Sequence, residues 1–175
     1  MIKLFYSGTY CVKHKLINEC NVCTMLKNDI RSKIVGNVKD TVYASDGVVI
    51  KENKNVMYVG GFYYENQDKQ ISVCENVVLE ELKQIDKCDL VVANLMHYSA
   101  IATVTEIMYA AFKNKKIIVF CNPKITNSSI ESEYWFPIYS IKKICTDVEI
   151  KYISDEKEII DYVNSLKEWK WQNIL

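Results

Sequence analysis

Two glutamates and one histidine have the neighbours that chemistry would need. Glu106 follows the polar connection MHYSAIAT (96–103), which itself follows the most apolar segment of the chain, LVVANL (90–95). The end of a buried strand is where α/β proteins place reactive groups, and a carboxylate there can act as nucleophile or general base. The same residue also closes the series Thr103-Val104-Thr105-Glu106. That series fits a capping box, with Thr103 capping a helix and Glu106 reaching back to its backbone N–H. Glu81 stands three residues after Val78 and four before Ile85, at the border of an apolar helical face. It reads either as a second acid or as a solvated helix edge. His97, just past the apolar segment, is able to exchange protons near neutral pH or simply to hydrogen-bond its loop.

The pattern around these residues supplies a scaffold. Residues 2–7 read as a buried strand ending in a turn at Gly8, and residues 17–35 as a helix. Short strand pieces are expected at 41–44, 48–50 and 56–60, followed by an aromatic turn, GGFYYENQ (60–67). An amphipathic helix over 76–87 leads into the strand 90–95. A helix over 103–113 leads into a strand over 116–120, and the loop 121–132 is long enough to act as a lid. A helix near 133–144, a strand near 148–153 and a helix opened by Ser154, Asp155 and Glu156 complete the order.

Strands that alternate with helices and are apolar on both faces predict a single α/β domain over 1–175. The expected architecture is three-layered and Rossmann-like or flavodoxin-like, with a mostly parallel sheet of about five strands. Ligands of such sheets bind beyond the carboxyl ends of the strands, so the segments 6–10, 60–67, 94–106 and 121–135 should form the site. Within them Tyr6, Gly8, Thr9, Asn94, Ser99 and Thr103 are the expected substrate contacts. Phe62 and Tyr63 serve as pocket wall or core.

Composition removes other functions. The chain has 175 residues, 49% hydrophobic and 25% charged, with 22 basic residues against 22 acidic. Arg31 is the one arginine, which argues against a nucleic-acid polymer as partner and leaves phosphate recognition to lysine, hydroxyls or backbone N–H groups. The five glycines permit no dinucleotide, P-loop or nucleophile-elbow motif. Seven scattered cysteines without an export signal read as reduced thiols, and Cys20-x-x-Cys23 lacks the partners of a zinc site. No membrane segment is expected, and a cytoplasmic location follows. Neither a metal nor a cofactor is implied.

Asp89-Leu-Val-Val-Ala93, Thr103-Val-Thr-Glu-Ile-Met-Tyr-Ala110 and Lys115-Lys-Ile-Ile-Val119, with Lys3-Leu-Phe-Tyr-Ser-Gly8 at the start, together resemble the nucleoside 2-deoxyribosyltransferase-like family. The resemblance covers about residues 76–120 and 2–10. It implies cleavage or transfer of the N-glycosidic bond of a 2′-deoxynucleoside or its 5′-monophosphate, with Glu106 attacking C1′. The family's second carboxylate, an aspartate, falls on Glu81, the implied acid.

Four positions depart from the family's pattern. Phe5 stands where a tyrosine orients the nucleophile, and Ala102 and Met108 replace glycines. Ala100 replaces the aspartate that contacts the 5′-hydroxyl in the transferases. Without that aspartate, Ser99, Thr103 and the helix N-terminus are free to receive a 5′-phosphate. Family members form homodimers or higher oligomers, which suggests a lid or oligomer role for Tyr134 and Trp135. The same departures support the alternative of a catalytically degenerate nucleotide-binding or sensor protein.

Overall fold

A computed structural model describes residues 1–8, 29–36, 46–62, 71–97, 100–123 and 133–167. The elements are β1 (Ile2–Gly8), α1 (Ile30–Val35), β2 (Val48–Val49), β3 (Val56–Gly60), α2 (Ile71–Lys87), β4 (Leu90–Leu95), α3 (Ile101–Phe112), β5 (Lys116–Cys121), α4 (Trp135–Ile144), β6 (Val148–Tyr152) and α5 (Lys157–Ser165). They build one six-stranded sheet in the order β2-β3-β1-β4-β5-β6, parallel throughout except for β2, which runs antiparallel to β3. The two-residue β2 is the strand piece expected at 48–50, and as an edge strand it brings the sheet to six strands against the five or so expected.

Alternation along the strands divides the core into two layers. Leu4, Tyr6, Val92, Ile118 and Phe120 face α1 and α5, whose Ile34, Ile159 and Val163 cover them. Phe5, Val91, Ala93, Leu95, Ile117 and Val119 face the opposite way, under Ile85 of α2, Ile107 of α3 and Ile141 of α4. Burial on both faces is why β4 and β5 read as nearly continuous apolar runs. The edge strand β6 instead carries Glu149 and Lys151, paired at 2.7 Å, which discourages edge-to-edge pairing. Asn53, between β2 and β3, donates to the carbonyls of Val163 and Leu166 at 3.0 and 2.8 Å and so closes the end of α5.

Several expected boundaries move. The helix expected over 17–35 is present in its last turn and a half as α1, while its earlier part and the strand at 41–44 lie outside the described residues. α2 begins at Ile71, five residues early. α3 begins at Ile101, with Ala100 as its N-cap and no side-chain cap, so the capping box at Thr103–Glu106 does not form. Cys88, Cys121 and Cys145 are buried and form no disulfide. Among the described residues no helix is long and apolar enough to cross a membrane.

The chain runs from β1 towards β3 on one side and from β4 towards β5 and β6 on the other. Strand order therefore reverses between β1 and β4, where Ser7 lies beside Ala93 and Gly8 beside Asn94.

Candidate active site

At this reversal point three elements converge on one pair of carboxyls. Thr103, Ile107 and Ala110 seat α3 on the sheet, which turns the neighbouring Glu106 towards the end of β1. There the buried Ser7 hydroxyl donates a short hydrogen bond to Glu106 Oε2. Ser7 shares its strand face with Phe5, two residues earlier, and Phe5 is packed in the core. The hydroxyl that orients Glu106 thus comes from one pleat further along the strand than the position that the family resemblance indicates.

Glu81 approaches from α2, where Gln84 and Ile85 are buried on the same side of the helix. The two half-buried glutamates hydrogen-bond to each other. Two buried carboxylates in contact repel each other when both are ionised. The pair therefore holds one proton between them over a wide range. Burial raises the Glu106 pKa first, and the charge of Glu81 raises it further; Ser7 and Arg31 oppose both. Burial also raises Glu81, against the hydrogen bond from Glu106 and the charge of Arg31. Both effects of Glu81 place the proton on Glu106 in the free protein, so the acid and the anion that acid-assisted displacement requires are both present, with the proton on the α3 member.

The connection into α3 is fastened from α4. Tyr134 Oη accepts from Ala100 N at 2.9 Å and donates to the His97 carbonyl at 2.7 Å. With 1% exposure Tyr134 is an internal staple, which replaces the lid or oligomer role expected for it. Trp135 packs edge-on against Phe136, with ring centroids 5.6 Å apart. Staple and helix share one consequence: the first N–H of the α3 end is already engaged.

The remaining expected contacts separate. Gly8 ends β1 next to Ser7, and Thr103 is buried on α3 one turn before Glu106. Tyr6 and Asn94 point to the other side of the sheet from the glutamates. Asn94 Nδ2 donates to Tyr6 Oη at 2.9 Å and to Glu156 at 2.6 Å, and Asn94 Oδ1 accepts from Met96 N at 3.0 Å. Phe62 is core, edge-on to Tyr58 at 5.0 Å. Thr9, Tyr63 and Ser99 lie outside the described residues, as does most of the loop 121–132. His97 pairs with Glu156 at 3.2 Å, away from the glutamate pair.

Two participants were not expected from the sequence, Ser7 and Arg31. Strand alternation was the available signal for Ser7, since a hydroxyl two residues beyond Phe5 must face the same helices. Among the described residues no three metal-ligating side chains converge. A recess of about 420 Å³ lies at the opposite, amino-terminal end of the strands, lined by Met1, Asp89, Lys115 and Asp147 among others, and is remote from the glutamates.

Fold and site together define a doubly wound α/β domain with a proton-sharing carboxylate pair at its strand-order reversal. Among solved structures the chain is similar to the CMP N-glycosidase BcmB of Clostridium botulinum, with a TM-score of 0.50 and 16% sequence identity over 93% of this chain and 98% of that one. At this identity the likeness establishes a shared fold. No family model matches the sequence, and no curated protein matches it.

Proposed function

We propose that the protein cleaves or exchanges the N-glycosidic bond of a 2′-deoxynucleoside or, in preference, its 5′-monophosphate. The observation that carries this reading is the Glu81–Glu106 pair, sharing a proton beside Ser7 at the reversal point. Substrate binding moves the shared proton from Glu106 to Glu81, which leaves the charge on Glu106. A Glu106 oxygen bonds to C1′ as the C1′–N bond breaks, and the base leaves with the bonding electrons and the proton from Glu81. Water or a second base then attacks C1′, frees Glu106 and returns a proton to Glu81. The sugar must part the two carboxyls to about 5 Å, the spacing of retaining pairs.

Three features support this choice of substrate. The sequence resembles the deoxyribosyltransferase-like family, the fold is shared with an enzyme that acts on CMP, and Ala100 removes an acidic residue that would repel a phosphate. Homo-oligomerisation belongs to the same proposal: Ile101 and Phe112 of α3 and Phe136 of α4 are 76%, 70% and 64% exposed, apolar surface that a second copy would cover. A monomer at assay concentration, measured by light scattering, would remove that part.

The test is chromatography of free base released from deoxynucleosides and from deoxy- and ribonucleoside 5′-monophosphates, with and without an acceptor base, for the wild type and Glu106→Ala. Release that the substitution abolishes is expected, and dependence on acceptor separates transfer from hydrolysis. Tight nucleotide binding without base release over hours would overturn the enzymatic reading in favour of a binding or sensor protein.

A further inference from the structure

Arg31 is the sole arginine of the chain, and its side chain is only 4% exposed. Its Nε donates to the Gly61 carbonyl at 2.8 Å, one terminal nitrogen donates to the Gly8 carbonyl, and the other lies 3.3 Å from Asp29 Oδ1. The guanidinium sits 5.2 Å from the centre of the Tyr6 ring. Asp29 also accepts from Arg31 N at 2.8 Å and so caps α1, which anchors the arginine at its base.

The two carbonyls that Arg31 holds belong to backbone segments linked to the glutamates. Gly8 directly follows Ser7, the donor to Glu106. Gly61 directly follows β3, and its N–H donates to Gln84 Oε1 at 3.3 Å, three residues along α2 from Glu81. Gly61 has no slack: it has φ of +78°, and a Cβ there would stand 1.9 Å from the Tyr6 carbonyl. A planar fork of fixed donors can bridge two diverging carbonyls and an aspartate at once, whereas a lysine ammonium on a flexible stem cannot.

We propose that Arg31 is a positioning residue for the glutamate pair, which ties Gly8 to Gly61 so that Ser7 meets Glu106 and α2 presents Glu81. The inference rests on the assignment of Glu106 and Glu81 as the reacting groups. Both carboxyls feel the cation, which draws each of them towards ionisation. Among the described residues, the groups acting on the pair are the glutamates themselves on α2 and α3, Arg31 on α1 and the neutral Ser7 hydroxyl on β1.

Two substitutions in the full chain divide the fork from the charge. Arg31→Lys keeps the charge and loses the fork; Arg31→Met loses both. Each is followed through kcat for base release against pH and through ¹³C titration of the glutamate carboxyls, assigned with Glu81→Gln and Glu106→Gln. Arg31→Lys should lower kcat about 10- to 100-fold with KM and the titration midpoints little changed. Arg31→Met should lower it at least as far and move both midpoints up by about one pH unit, since removing a cation disfavours the carboxylate. Wild-type kcat in Arg31→Lys, or unmoved midpoints in Arg31→Met, would overturn the proposal. Should Arg31→Met fail to fold, Arg31→Lys decides alone: a kcat loss at unchanged KM and midpoints supports the clamp, and wild-type kcat overturns it. If the wild type releases no base from any substrate, the enzymatic reading falls by itself. The ¹³C midpoints then judge Arg31 independently, supporting it if they rise in Arg31→Met alone and overturning it if they do not.

Discussion

Tyr6 and Ser7 are adjacent on β1 and build two opposite kinds of cluster, back to back through the sheet. On the α2–α3 side, Ser7 meets two carboxyls whose charges conflict and whose proton is shared. On the α1–α5 side, Tyr6 meets Asn94, which meets Glu156, which meets His97, and each contact joins a donor to an acceptor or complementary charges. The first cluster costs stability, because burial and like charge both oppose ionisation. The second contributes stability, because Glu156 raises the His97 pKa while His97 lowers that of Glu156. The reversal point is where the two clusters meet, through Tyr6 and Ser7 of one strand.

The sharpest break of this contrast is Glu106→Gln. It should abolish base release, by about a thousandfold or more in kcat, as loss of a nucleophile does. It should also stabilise the protein. A carboxyl whose folded pKa is raised contributes stability below its unfolded pKa near 4.5 and loses it as pH rises through the folded value. Tm of the variant should therefore exceed wild type more at pH 8 than at pH 5 in thermal melts. Next comes Glu81→Gln, expected to cost about 10²- to 10⁴-fold in kcat and to erase the alkaline limb of the pH profile. Removing its charge should also lower the Glu106 midpoint in a ¹³C titration.

Ser7→Ala is a smaller step. Without the donor to its carboxylate, Glu106 should titrate higher, and kcat should fall about tenfold with KM nearly constant. A rise in KM alone would show that Ser7 serves the substrate and not the glutamate. The smallest effect belongs to the opposite face. Glu156→Gln should leave base release unchanged and lower Tm by at most about 2–4 °C, since its partly exposed contact with His97 is worth up to about 1 kcal/mol. The sign can be checked across pH. The lost stability should shrink as pH rises through the raised His97 pKa, and again as pH falls through the lowered Glu156 pKa.

The legible parts of the molecule share one property, burial on both faces. β4 and β5 stand where their apolar runs place them, as do the helices between, because no other arrangement hides such segments from water. At Thr103–Glu106 the same spacing describes a cap and an interior turn; Ile101 and Ala102 extend the helix backwards, and the second description holds. Glu81 and Glu106 could be singled out by position and by family resemblance, yet their mutual contact depends on how α2 and α3 lie across the sheet. Arg31 was opaque for a different reason. Its partners are carbonyls 23 and 30 residues away, and backbone oxygens leave no mark in a sequence.

Cys88, Cys121 and Cys145 give the domain a set of internal clocks. All three thiols are buried, and burial pushes the Cys88 thiol up to about 12. An alkylating reagent can modify them only when the sheet opens, so peptide-resolved labelling would time the opening of its two ends separately. Cys88 reports the amino-terminal end of the parallel strands, and Cys121 their carboxyl end, the end at which the glutamates lie. Their ratio would show whether the end that carries the conflicting charges is also the end that breathes.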